Sequence, residues 1–301
     1  MAKAKMSYEV RPSKAVTRRL FVDLLRRLGP VALLPDYHYV GFGALEFLDF
    51  DLMHRHLGIT KMTSIEEDTA GIERYRWNRP FNGISVLPGR ASTLLSTLDW
   101  TGLAVVWLDY TSTLTTEVIS DVETLARVLI PGSVLAVTVN AHPVALDGRR
   151  TALEKAITPE RVPIGVTANR LGDWGLAATQ HIVLSAVIRS AFAGRSDGGT
   201  WRQLLNINYQ DRARMQMLAG VVSAPAVHRA LDQCRFEDLD SVRGGADPLL
   251  LHVPLLTQRE RGWLNQCLPV PPGEEMPALP GVDAPDIVAY EQVYRYLETA
   301  S

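Results

Sequence analysis

Tyr37-His38-Tyr39-Val40-Gly41-Phe42-Gly43-Ala44-Leu45 reads as a short strand that runs into a Gly-x-Gly turn, with an amphipathic helix starting directly behind it. Without side chains at Gly41 and Gly43 the backbone turns sharply and lets a ligand approach the helix N-terminus. Unpaired N–H groups and the helix dipole favour negative charge there. A site for a nucleotide-like cofactor begins in this way, and a hollow filled by the chain's own side chains would count against it. The helix expected over 44–57 puts Leu45, Leu48, Leu52 and Met53 on one face, and Gly58 supplies its C-cap.

Outward from this turn the pattern alternates. A strand is expected at 61–66, a helix at 69–78, a short strand at 84–87, a short helix at 91–98 and a nearly continuous apolar strand at 103–109. Helix 116–129 carries Val118, Val122, Leu125 and Leu129 on one stripe, and Pro131-Gly132 turns the chain into a strand at 133–139. Residues 174–193 are apolar all round and read as a buried helix, in which His181 is a hydrogen-bonded core residue rather than a ligand. Leu205, Ile207 and Tyr209 then alternate with Asn206 and Asn208, and Met215 and Met217 with Arg214 and Gln216, as in an antiparallel hairpin.

Alternation of this kind predicts an α/β fold: a doubly wound, Rossmann-like sheet of about seven strands ending in an antiparallel hairpin, with N- and C-terminal helical extensions. The expected division is a helical extension at 1–36, the sheet domain at 37–222 and a helical, proline-rich extension at 223–301. Ligands are expected outside the carboxyl ends of the strands. In the first extension, helix 13–28 is capped by Ser13, and its Arg18, Arg19, Arg26 and Arg27 read as a solvated basic face. In the last, Thr257-x-x-Glu260 is a capping box opening a helix, and a final helix is expected over 286–299.

Composition narrows the classes. A 301-residue chain that is 47% hydrophobic and 21% charged is globular, and a formal net charge of -2 gives no overall attraction to a phosphate backbone. Wholesale nucleic-acid binding is therefore not expected. Cys234 and Cys267 are too few for a disulfide framework and lack zinc-site spacing, so reduced thiols in the cytoplasm are expected. The basic start MAKAKMSYEVRPSK has no apolar run behind it and nothing approaches a membrane span.

The glycine turn, the five alternating strands and the hairpin resemble the class I S-adenosylmethionine-dependent methyltransferases over roughly residues 37–222. The order of GRASTLLSTL, LAVVWLDY and LIPGSVLAVTVN is similar to the O-methyltransferases of the catechol and caffeoyl-CoA type. The resemblance implies S-adenosyl-L-methionine as cofactor and a hydroxyl acceptor, either a small molecule or a nucleotide-like one. It implies a cofactor site made of Tyr39, Gly41, Phe42 and Gly43 at the turn, Glu66 or Glu67 for the ribose hydroxyls, with Glu66 preferred, and Gly89, Arg90 and Ala91 beside the adenine. Asp109 at a strand end and His142 beyond the fifth strand are the catalytic candidates, His142 because an imidazole takes up a proton near neutrality.

The family pattern is incomplete at three positions: Tyr39 stands where an acid is usual, Leu45 where a small residue is, and Arg90 where an acid is. Asp109 and Asn140 match two ligands of the catechol-type magnesium site, but Val139 replaces a third, so no metal is expected. A nicotinamide dehydrogenase is disfavoured by Glu46 at the third glycine position, and a base-directed N-methyltransferase by Asp109-Tyr110-Thr111 after the fourth strand. The rival reading is a methyltransferase-like module without catalysis that binds a nucleotide or a protein partner.

Overall fold

The computed structural model describes residues 11–271 and 273–297. The basic residues at 1–10 and the last positions of the expected 286–299 helix lie outside the described residues. Ten α-helices and eight strands are seen among the described residues. The helices are α1 (Pro12–Arg26), α2 (Leu48–Leu57), α3 (Ile72–Asn78), α4 (Ala91–Leu94), α5 (Thr116–Val128), α6 (Arg149–Ile157), α7 (Gly175–Phe192), α8 (His228–Gln233), α9 (Gln258–Gln266) and α10 (Ala284–Val293). The strands are β1 (His38–Gly41), β2 (Lys61–Glu66), β3 (Ile84–Pro88), β4 (Ala104–Thr113), β5 (Val134–Asn140), β6 (Thr200–Gln210), β7 (Arg214–Ser223) and β8 (Leu249–Leu251).

All eight strands form one sheet in the order β3-β2-β1-β4-β5-β7-β6-β8. The first five are parallel, β7 is antiparallel to both β5 and β6, and β8 pairs parallel to β6. The strand order reverses between β1 and β4, so a crevice is expected at the carboxyl ends of these two strands. β8 is the strand beyond the expected seven. It comes from a Leu-Leu-Leu run too short to show a period and pairs only because β6 leaves an edge open.

One apolar core lies on each face. Phe21, Leu24 and Leu25 of α1 pack with Tyr39, Phe50, Trp107 and Tyr209 on one side. Val118, Val122 and Leu125 of α5 pack with Val106, Leu108, Val137 and Leu184 on the other. Both extensions contribute to the first core, through α1 and through Phe236, Val253 and Val293. A full side chain buried in this way contributes roughly 1.5–3 kcal/mol.

The helix expected from 44 starts four residues later, at Leu48. Ala44 and Phe47 take left-handed backbone angles (φ 51° and 49°), and Phe47 N–H donates to the Gly43 carbonyl, so residues 43–47 form a tight turn instead of a first helical turn. The buried face changes accordingly: Phe50, Met53 and Leu57 point inward with Asp49, while Leu48 is exposed. The expected capping box is present, with Thr257 and Glu260 each accepting from the other's backbone N–H. His181 is buried and its Nε2 lies 2.9 Å from Gln203 Oε1, a satisfied core histidine.

Candidate functional site

At the carboxyl end of the sheet the glycine turn is bound to β2. Gly43 N–H donates to Ser64 Oγ at 2.8 Å, Ala44 N–H to Glu66 Oε1 at 3.1 Å, and the Ser64 hydroxyl to that same Glu66 oxygen at 2.6 Å. The N–H groups expected to meet a ligand are thus met from within. A Cβ at Gly43 would lie 2.5 Å from the Phe47 ring and 2.7 Å from Ser64 Oγ, and one at Gly41 would lie 2.9 Å from Tyr39 Oη. A side chain at either position would thus meet the chain's own atoms. Internal packing requires both glycines: Gly43 because left-handed Phe47 turns its ring back under the turn, and Gly41 because the Tyr39 hydroxyl and the Trp107 carbonyl lie against it.

The acidic end of β2 sits beside this turn, as the spacing implied. Glu66 is 6% exposed, whereas Glu67 is on the surface in an ion pair with Arg90 at 2.9 Å. Gly89 N–H donates to the Glu66 backbone carbonyl, which brings Gly89, Arg90 and Ala91 to the end of β2. Phe42 packs edge-on against Tyr110 with ring centroids 5.1 Å apart. Tyr39 is fully inside, against Phe50, and its hydroxyl is raised well above the ordinary phenol range, first by burial and then by Asp49 and Asp109.

The two catalytic candidates lie in different surroundings. Asp109 points toward α1, where it forms an ion pair with Lys14. His142 is exposed, its N–H donates to Asn140 Oδ1 at 2.8 Å, and it lines a cavity of about 70 Å³ with Thr113, Val144, Arg149 and Leu153. Asp109 has a buried second layer: one turn along α1 from Lys14, Arg18 pairs with Asp49 of α2. Burial lowers the ammonium pKa of Lys14, against the opposing pull of Asp109. Burial, together with Asp109, raises the phenol of Tyr209.

Sequence reasoning missed Lys14, Asp49 and Ser64 and misread Arg18, which is buried and not part of a solvated face. Arg19 also turns inward, to the Tyr296 carbonyl. Arg26 and Arg27 do pair near the surface, with Asp23 and Asp238. A signal was available: Lys14, Arg18, Phe21 and Leu25 follow one helical stripe, so two cations stand in line with the apolar face. Among the described residues no group of three or more His, Cys, Asp or Glu side chains is placed to hold a metal ion.

A parallel sheet with this strand order, closed by an antiparallel pair and carrying an acid at the end of β2, is the Rossmann-like architecture of the methyltransferases. Residues 6–298 match the model of the family described as "Putative O-methyltransferase", and the chain belongs to that family. Solved structures with a similar course include an O-methyltransferase family protein from Burkholderia thailandensis, at 13% identity over 69% of this chain and 57% of that one, TM-score 0.38. Human N-acetylserotonin methyltransferase in complex with SAM is 13% identical over 66% of this chain and 52% of that one, TM-score 0.37. Trm1 from Pyrococcus horikoshii with S-adenosyl-L-methionine is 12% identical over 87% and 73%, TM-score 0.47. The chain thus spans little more than half the length of the first two. No curated protein matches the sequence.

Proposed function

We propose that this chain transfers a methyl group from S-adenosyl-L-methionine to a hydroxyl of a small-molecule acceptor. The observation that carries the reading is the Glu66 carboxylate at the end of β2, next to the turn after β1, in a chain of the O-methyltransferase family. The donor set suits an adenosyl group: a carboxylate accepts from a ribose diol, and Gly89, Arg90 and Ala91 stand beside it for the base. Glu66, with Glu67 at its edge, would hold the sugar, and the backbone from Gly41 to Gly43, flanked by Phe42, would face the amino-acid end; Tyr39, expected there, is instead a core residue against Phe50. The cofactor, when bound, supplies an electrophilic methyl group. The chain orients the acceptor oxygen, and its proton is taken by Asp109 or His142, because a neutral hydroxyl is a poor nucleophile.

Calorimetric titration with S-adenosyl-L-methionine tests the reading. Binding to the wild type should weaken at least tenfold in Glu66→Gln, and label should pass from cofactor methyl to a hydroxylated acceptor. One observation favours a second reading, a binding module without catalysis: the glycine turn is packed with Phe47 and Ser64 and its N–H groups are already engaged. Wild-type protein that gives no binding heat would decide for that module, whose ligand would then be a nucleotide or a protein partner.

The extensions at 1–36 and 223–301 are proposed as additions to a sheet domain at 37–222 that share its core. A cytoplasmic setting is proposed on the unpaired thiols of Cys234 and Cys267. No helix among the described residues is long and apolar enough to cross a membrane.

A further inference from the structure

Beneath the first turn of α1 lies a chamber of ionic side chains that the family resemblance did not foretell. Lys14 is 5% exposed, its ammonium pairs with Asp109, and it stands 5.2 Å from the Trp107 ring and 5.9 Å from the Tyr209 ring. The turn is anchored from a distant part of the chain: Asp211, between β6 and β7, accepts from Ser13 N–H at 2.9 Å and from Lys14 N–H at 3.1 Å. Among Lys14, Arg18, Asp49 and Asp109, the side chain of Asp109 is the most exposed at 14%, against 6%, 5% and 7% for the others. Asp109 is thus the member of the chamber nearest to solvent. Tyr209 Oη, in a side chain 1% exposed, has no hydrogen-bond partner in the same chamber.

We propose that Lys14 is the positioning residue of Asp109, fixing where its carboxylate stands so that it receives the hydroxyl proton of the acceptor. This deepens the methyltransferase reading and rests on it. Lys14 is itself enclosed by the Trp107 and Tyr209 rings, so its contact with Asp109 fixes where the carboxylate stands. In the step itself the acceptor O–H bond breaks and its proton passes to Asp109, while the acceptor oxygen bonds to the methyl carbon. The carbon–sulfur bond of the sulfonium breaks, leaving a neutral thioether. The other groups facing Lys14 are Arg18 on its own helix, Asp49 on α2, Tyr39 on β1, Tyr209 on β6 and Asp211 at the hairpin turn.

Turnover with radiolabelled S-adenosyl-L-methionine and catechol as the hydroxyl probe should fall at least 100-fold in kcat at pH 7 for Lys14→Met. KM for the cofactor should stay within twofold, and Lys14→Arg should restore at least a tenth of the rate. A Lys14→Met protein that melts cooperatively and keeps the wild-type kcat overturns the proposal. Wild-type protein that binds no S-adenosyl-L-methionine overturns the methyltransferase reading instead, and the unfolding free energies of Lys14→Met, Asp109→Asn and the double variant then still judge whether Lys14 holds Asp109: losses that simply add overturn it.

Discussion

Near the carboxyl ends of the strands, the two faces of the sheet bury polar groups in opposite ways. Toward α1 the buried groups are full charges and they are paired, Lys14 with Asp109 and Arg18 with Asp49. Toward α7 most are neutral carboxamides, Gln180, Asn206, Asn208 and Gln216, all at most 2% exposed with three of their carbonyl oxygens unpartnered, while the buried Asp121 of α5 accepts from the Tyr110 hydroxyl at 2.5 Å. An unpaired charge inside costs far more than an unpaired amide, so only the first arrangement dictates which side chains must meet. The charged face thereby holds α1 in one position over β4. The amide face tolerates loose ends, with Gln216 donating to Asn206 and Gln180 to Thr113 and to the Asn140 carbonyl.

The sharpest way to break this contrast is to remove one ion. Lys14→Met strands Asp109, and urea denaturation should show a loss of about 3–5 kcal/mol, much of it regained in Lys14→Met/Asp109→Leu, where the site becomes apolar. If both variants lose equally, the pair stabilises through packing and the contrast fails.

A third mode of burial is neutrality, seen in His38 at the start of β1, whose ring lies 2.9 Å from Thr63 Oγ1 and whose pKa is pushed from 6.5 down to about 4, mainly by burial and then by Lys61. Because the unfolded chain takes up this proton before the folded one, stability should be full above pH 6.5 and should decline as the pH falls toward 4. The loss should approach roughly 3 kcal/mol and then level off. His38→Gln should flatten that slope in melts taken across the range.

The glycine turn comes next in size. Gly43→Val forces a methyl group against Phe47 and Ser64 and should cost about 1–3 kcal/mol by denaturant midpoint, with or without any ligand present. A neutral result would mean that Phe47 swings out easily and that the turn is open in solution. The smallest effect belongs to the amide face. Asn208→Leu removes an oxygen that has no partner and should change stability by less than about 1 kcal/mol in the same assay. A loss of several kcal/mol there would place Asn208 in a tight network and erase the difference between the faces.

Most of the sheet was legible because each strand carries its own local signal. The run 103–109 is apolar enough for the middle of a parallel sheet, Pro131-Gly132 marks the next turn, and 205–217 alternates as a half-buried hairpin does. The turn after β1 was legible as a turn but not in its contents. Nothing in Gly41-Phe42-Gly43 tells that Phe47 adopts a left-handed backbone and fills the space below. The Glu66 position was found because spacing from the glycines reflects one β–α–β unit, whereas Lys14 was not, because its partner Asp109 lies 95 residues away.

The sequence by itself therefore determined the alternation of elements, the architecture of the sheet and the place of an acid beside the first turn. All of these follow from periodicities of two and 3.6 residues and from short-range turn chemistry. Only the tertiary structure decided which charges are buried together, which N–H groups the turn spends on Ser64 and Glu66, and that α1 stands over Asp109. Those choices depend on distances across elements far apart in the chain, where burial makes the pairing of each charge obligatory and no local pattern records the partner.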